Sequence, residues 1–231
     1  RGGSPGFTEL VVEGALVVRG TAAAPAVFTI DSEDRAELWF GVQLVEGGTV
    51  DAEGLTLTQA GVGFAGDVTS GFRLADSRLS RLATGLRLTL FDDATVDRVD
   101  LRTITTNAIN ASGFGTLRLR NSVVEGNGRE GIVVRNAGLL VIDSRLSGNG
   151  VLDDDDPRSG LIAEGGRGQR IEIWNTTVDG NRLHGIDLDG WEGVFELHGS
   201  VLTGNRLDGL RADGAERVVF EEVEVSRNLA A

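Results

Sequence analysis

The sequence predicts an all-β chain wound as a parallel solenoid, with three short strands in each turn of about 22 residues. Three observations predict it. The pentapeptide Asp-Ser-Arg-Leu-Ser occurs at 76–80 and again at 143–147, a separation close to three such periods. At that period whole columns of residue type align, as expected of a repeat architecture. Within each period the local alternation is two, as in Gly-Ile-Asp-Leu-Asp at 185–189 or Thr-Leu-Arg-Leu-Arg at 116–120. Such alternation over a few residues marks a short strand with one buried face. No stretch carries a convincing helical amphipathic stripe.

The columns justify each element in turn. A glycine recurs at Gly41, Gly63, Gly85, Gly131, Gly160, Gly185 and Gly209, with Ala108 in the one gap. The next residue is always apolar: Val42, Phe64, Leu86, Ile109, Ile132, Leu161, Ile186 and Leu210. A second apolar column runs Leu57, Leu79, Leu101, Val124, Leu146, Val178, Leu202 and Val225. Just after it the C-terminal half carries Asn127, Asn149, Asn181, Asn205 and Asn228, where the N-terminal half has Ala60, Leu82 and Ile104. Stacked at about 4.8 Å, these columns become interior ladders. Asparagine suits a tight corner, where it can take a left-handed conformation and bond the rungs above and below.

Along the chain, residues 1–7 read as a linker and residues 8–40 as an N-terminal capping rung. Residues 41–231 are the repeats, giving roughly nine to ten rungs in all. The register breaks between Asn149 and Gly160, which stand much farther apart than Asn127 and Gly131 or Asn181 and Gly185. They therefore enclose an inserted acidic loop at 150–159. A smaller extension, Glu164 to Gln169, follows in the same rung. No cap is obvious after the last asparagine, and open solenoid ends invite edge pairing. A partner domain or further rung, and a longer native protein, are therefore expected.

Gly-Asn-x-x-x-Gly-Ile at this spacing resembles the right-handed parallel β-helix repeats of the pectate-lyase-like and NosD-like superfamily, over roughly residues 37–228. The resemblance, with the general preference of parallel crossovers, implies the right hand. It points to a fold shared by lyases, hydrolases, epimerases, adhesins and inert scaffolds, so function must be argued from a site.

Composition narrows the chemistry. The 231 residues carry a net charge of −13, 34 glycines, 3 prolines, and no cysteine, methionine, tyrosine or lysine; all 22 basic residues are arginine. Without cysteine there is no disulfide framework, thiolate nucleophile or zinc knuckle. Without lysine there is no Schiff base. The acidic balance argues against nucleic acid as partner, and the lack of a long apolar run argues against membrane insertion by a helix. Abundant Gly, Ala, Val and Asp beside all-arginine usage fits a GC-rich bacterial source.

The acidic insertion is the best candidate site. Asp153, Asp154, Asp155 and Asp156 supply the hard oxygens that Ca²⁺ prefers. Rung arithmetic places Glu130, Ser159, His184 and Asp208 in one column, so His184 and Asp208 should lie about one strand spacing apart. Past the glycine, the outward positions include Glu164, then Asp187 and Asp189, then Arg211 and Asp213. Three readings compete for this face: a solvated loop that blocks lateral pairing, a Ca²⁺ or acidic ligand site, and a catalytic pair acting on a glycan. For catalysis the candidates are His184, Asp187, Asp189 and Asp208, with Glu164, Asp213 and Trp191 as ligand contacts. Trp191 follows a turn beside Asp187 and Asp189 and, of the three tryptophans, is the one best placed for exposure; it reads first as an apolar patch under that turn and, if exposed, could stack on a sugar ring. His198, near a strand edge, reads as a turn residue.

The resemblance motifs do not decide for catalysis. Leu-His-Gly at 183–185 and the Asp run echo a polygalacturonase-like site, but its Asn-Thr-Asp and final basic triplet are missing. Asp156-Pro157-Arg158 likewise departs from the Asp-Pro-His-Asp of alginate-epimerase-like enzymes. The expectation is therefore a rigid β-helix scaffold or binding module of a bacterial secreted or surface protein. It would engage polysaccharide or Ca²⁺ through the acidic face and require no cofactor. The alternative is a polysaccharide lyase or glycoside hydrolase using Asp and His on the same face. Oligomeric state is left open.

Overall fold

A computed structural model describes residues 9–30, 39–45, 47–67, 71–151 and 157–229. Among them every regular element is a strand, and the strands form three sheets of nine, all parallel. Each rung adds one strand to each sheet in strict rotation. Sheet 1 runs from Glu9–Val12 to Leu210–Ala212, sheet 2 from Ala15–Arg19 to Arg217–Glu221, and sheet 3 from Ala26–Phe28 to Glu224–Ser226. From the first strand of each sheet to the ninth the coil makes about 8 turns of about 23 residues, slightly fewer than the count the columns suggest. The first three strands already make a full rung within the segment expected to cap the coil.

The register is the one the columns imply. In sheet 1 Val42, Phe64, Leu86, Ile109, Ile132, Leu161, Ile186 and Leu210 are successive partners. Among these partners the longest step in sequence, from Ile132 to Leu161, holds the insertion, and pairing continues across it. The alternate residues of all three sheets point inward and form one continuous core along the coil. Phe64 and Phe72 meet edge to face within it, with ring centroids 5.5 Å apart.

Corners close the triangle. Between sheets 2 and 3 the turn is a left-handed residue, followed in most rungs by a hydroxyl residue. Asp76, Arg98, Asn121, Asp143, Asn175, Gly199 and Glu222 all have φ between 48° and 55°. Where the hydroxyl is present it accepts from the rung below: Ser122 Oγ from Val99 N at 3.0 Å, Thr176 Oγ1 from Ser144 N at 3.3 Å, and Ser200 Oγ from Thr176 N at 3.0 Å.

Between sheets 3 and 1 the expectation of left-handed asparagine needs correction. The left-handed residue is the one before it: Gly126, Gly148, Gly180 and Gly204 in the C-terminal half, Gln59, Arg81 and Thr103 in the N-terminal half. That turn leaves the following side chain pointing inward. Asn127, Asn149, Asn181, Asn205 and Asn228 are then joined by Nδ2–H to Oδ1 bonds of 2.9, 3.0, 2.9 and 2.9 Å. Each Nδ2 also donates to a carbonyl of a sheet 3 strand, and each Oδ1 accepts a backbone N–H from the rung below. The amides are therefore fully used, as burial demands.

Candidate functional site

Parallel register puts like positions one above another, so the outer face of sheet 1 can be read as columns. One column runs Gln43, Ala65, Arg87, Asn110, Val133, Ile162, Asp187, Arg211. The column just before the strands holds Glu130, Ser159, His184 and Asp208. Polar groups concentrate where these two meet, in the rungs beginning near Leu161, Ile186 and Leu210.

His184 is buried, and its Nδ1 lies 3.1 Å from Oδ2 of Asp208 and 3.3 Å from the Asp208 amide nitrogen. A ring with hydrogen on Nδ1 donates to the carboxylate, whereas a ring with a bare Nδ1 accepts the amide N–H. Asp187 points outward on sheet 1 yet is only 4% exposed. Arg211 Nη1 reaches both its oxygens at 3.3 Å, and Arg211 Nη2 stands 3.9 Å from Asp189. Burial pushes the Asp187 carboxyl above the usual range; Arg211 and His184 pull it back, and Asp189 pushes it further up. The cluster thus combines a buried acid of raised pKa with an imidazole and a guanidinium beside it. Such an arrangement can exchange protons with a ligand or grip a hydroxyl-rich one.

The rest of the expected face divides. Glu164 pairs with Arg135 at 2.6 and 3.4 Å. Glu130 is buried, accepting from Asn107 Nδ2 at 2.6 Å and from Arg158 Nη1 at 3.3 Å, so Arg158 ties the end of the insertion to sheet 1. Asp213 is exposed, and its backbone pairs with Trp191 and Leu188. Asp153, Asp154, Asp155 and Asp156 lie outside the described residues. Among the described residues no three His, Asp or Glu side chains are grouped to hold a metal.

Trp191 is a correction: it is 0% exposed and offers no platform. The register shifts between Glu164 and Gly165, so Gly165 pairs with Trp191 and the 164–169 extension folds over the indole. A Cβ on Gly166 would stand 2.0 Å from the ring, so only glycine fits there. The ring that this rim does expose is Phe114, at 79%, in the corner after the Ile109–Ser112 strand. Gln169 Nε2 donates to the Phe114 carbonyl at 3.3 Å and ties the extension to that corner.

His198 is also a correction. It ends the strand Val194–His198, is buried, and stacks on Trp174 with ring centres 3.8 Å apart and planes 10° apart. Its Nδ1 is 3.0 Å from Glu221 Oε2; its Nε2 is 3.7 Å from Glu196 without a hydrogen-bond partner. The signal was present in the sequence, since Trp174 and His198 are register partners one rung apart.

The family described as "Right handed beta helix region" matches residues 84–230. The chain belongs to that family. No curated protein matches this β-helix. Among solved structures it is similar to a mutant of the periplasmic alginate epimerase AlgG, with a TM-score of 0.65 and 14% identity over 94% of this chain. It is also similar to the A-module of the Azotobacter vinelandii mannuronan C-5 epimerase AlgE6, with a TM-score of 0.58 and 12% identity over 91% of this chain. For pectate lyase Pel9A the TM-score is 0.56, at 14% identity over 96% of this chain. The β-helix spans 58% of the AlgG chain, 57% of the AlgE6 module and 69% of Pel9A. At these identities the likeness is one of fold.

Proposed function

We propose that this β-helix is a carbohydrate-engaging module of a bacterial secreted or surface protein, holding a polysaccharide along the outer face of sheet 1. The observation that carries the reading is Asp187. A carboxylate buried on an outward column is costly unless partnered, and here it sits among Arg211, His184 and Asp208 at the C-terminal end of the sheet 1 face. Phe114 adds an exposed ring to the rim of the same sheet, able to pack against a sugar face. That proteins named for alginate and pectate chemistry share the fold is consistent with such a ligand. Ca²⁺ at Asp153–Asp156 belongs to the same proposal, and is tested by a rise in melting temperature with millimolar Ca²⁺ that EDTA reverses.

A second reading, catalysis, is favoured by the nearness of His184 to Asp187, an acid whose pKa burial raises. A polysaccharide lyase or glycoside hydrolase needs such an acid and base on one face. Affinity electrophoresis through gels of pectate, alginate, chitosan and xylan tests the binding reading. We expect retardation by at least one polymer, lost in Asp187→Asn and in Arg211→Ala. Free migration through all four overturns it. Release of reducing or unsaturated ends from the retarding polymer, abolished by His184→Ala, establishes the catalytic reading instead.

A further inference from the structure

On the side of the coil away from sheet 1, the corner between sheets 2 and 3 carries a column of left-handed residues. Two of its eight members are glycines, Gly54 and Gly199, and Gly199 stands between Asn175 and Glu222. The missing side chain opens a hollow of about 540 Å³, lined by Trp174, Asn175, His198, Gly199, Glu221 and Glu222. Its inner wall is the Trp174–His198 ring stack, fixed by the 3.0 Å contact from His198 Nδ1 to Glu221.

The polar atoms offered to this hollow are acceptors. Asn175 Nδ2 donates to Asp143 Oδ1 at 3.2 Å on the rung below, which turns its Oδ1 toward the gap. A Cβ built on Gly199 would stand only 2.6 Å from that oxygen. Glu221 has one oxygen committed to His198, and both it and Glu222 are exposed on the next rung. No arginine lines the hollow. An amide oxygen and two carboxylates beside aromatic ring edges suit a ligand rich in N–H donors, positively charged, with a small carbon frame. A metal ion is a poorer match, because no three metal-binding side chains converge there among the described residues.

We propose that the Gly199 hollow is a second ligand site, distinct from the sheet 1 face, that takes a primary ammonium on a small frame, either an amino sugar or an alkyl amine. Exposed charge pairs each contribute little, so binding falls in the millimolar range.

The test is a ¹⁵N NMR titration of the whole chain, following the Trp174 indole N–H. The probes are glucosamine, 1,4-diaminobutane and, as the uncharged control, N-acetylglucosamine. Saturable shifts with both amines identify the ammonium as the recognised group. A shift with glucosamine alone assigns the site to amino sugars, and one with diaminobutane alone assigns it to alkyl amines. In each case Gly199→Asn should weaken binding by about tenfold or more. Asparagine accepts the left-handed backbone, its Cβ displaces the Asn175 Oδ1 acceptor 2.6 Å away, and its side chain fills the hollow. Glu222→Gln, which leaves the packing untouched, should weaken binding several-fold. The proposal is overturned if neither amine shifts Trp174, if the control binds as well as glucosamine, or if Gly199→Asn binds like the wild type.

Discussion

The two halves of the coil close the same corner with different chemistry. In the N-terminal rungs Ala60, Leu82 and Ile104 fill it by burial alone; from Asn127 onward it is a chain of hydrogen-bonded asparagines. Apolar packing is non-directional, whereas an amide chain fixes each rung against the next. The halves differ in regularity too. Register steps are nearly constant from Val42 through Phe64 and Leu86 to Ile109, and uneven from Ile132 through Leu161 and Ile186 to Leu210. Beyond the long first step from Leu10 to Val42 at the N-terminal end, the one long insertion, between Ile132 and Leu161, stands where the corner is directional. Asn149 bonds Asn181 through both its backbone N and Nδ2, each at 3.0 Å, directly across the 150–159 loop. The asparagine corner therefore holds register while the adjoining loop and face are free to vary. The candidate site lies in that half.

Breaking this contrast outright means removing one amide from the middle. In Asn181→Ala the Asn149 N–H and Nδ2–H, the Leu146 carbonyl and the Asn205 Oδ1 all lose a partner inside the coil. Orphaned buried groups cost about 1–3 kcal/mol each before relaxation, so a loss of about 3–5 kcal/mol is expected by urea denaturation. Leu82→Ala, the matching change in the other half, leaves only a cavity and should cost about 2–3 kcal/mol. Amide exchange separates the mechanisms further. Asn181→Ala should deprotect rungs on both sides of the insertion, and Leu82→Ala only its own neighbourhood. Equal, local effects would mean that asparagine is merely a filler.

A smaller effect is expected at the glycine that begins each sheet 1 strand. A Cβ on Gly185 would lie 2.6 Å from the Gly209 carbonyl and 2.8 Å from Asn205 Nδ2, so Gly185→Ala must push the rungs apart. Where the column already has alanine, the Ala108 N–H still reaches the Glu130 carbonyl, at 3.3 Å. Gly185→Ala should cost about 1–3 kcal/mol. Ala108→Gly, with its steric strain already accommodated, should cost no more than about 1 kcal/mol through backbone entropy. The same melts rank the two.

Much of this architecture was legible because a solenoid turns sequence distance into spatial distance. The columns of Gly185 and Ile186 named the core, and the one-rung spacing of His184 and Asp208 named their contact. What failed was whatever depends on a loop folding back. From its turn neighbours Trp191 reads either as an apolar patch or as an exposed platform, and the 164–169 extension lying over the ring is what the turn alone does not reveal. The left-handed corner residue reads as asparagine because Gly-Asn travels as a pair, and hydrogen bonding alone does not say which member turns the chain. Trp174 and His198 obey the same arithmetic as His184 and Asp208. Their stack is harder to see in the sequence because it sits on sheet 2, away from the acidic residues that mark a site by composition.

The smallest expected effect, and the one that separates a structural polar column from a functional one, belongs to Asp187. Every asparagine amide in the corner gains stability from burial with its partners, whereas burial holds the Asp187 carboxyl above its ordinary acidity. A carboxyl raised in the folded state binds its proton more tightly there than in the unfolded chain. Its charge therefore subtracts from stability as pH rises from the ordinary aspartate value, about 3.9, through the raised folded value. Above that window the loss is complete; below it the loss disappears. Asp187→Asn keeps the shape and removes the charge. At pH 7 the variant should melt at or slightly above the wild-type temperature, and the difference should shrink to nothing toward about pH 4. Arg211, whose side chain is half exposed, is left to water at little cost. A variant that melts well below wild type at pH 7, with the gap closing only in acid, would show that the Asp187–Arg211 pair is structural after all. Stability gained at neutral pH together with loss of polysaccharide retention would instead mark Asp187 as a residue kept for the ligand at the expense of the fold.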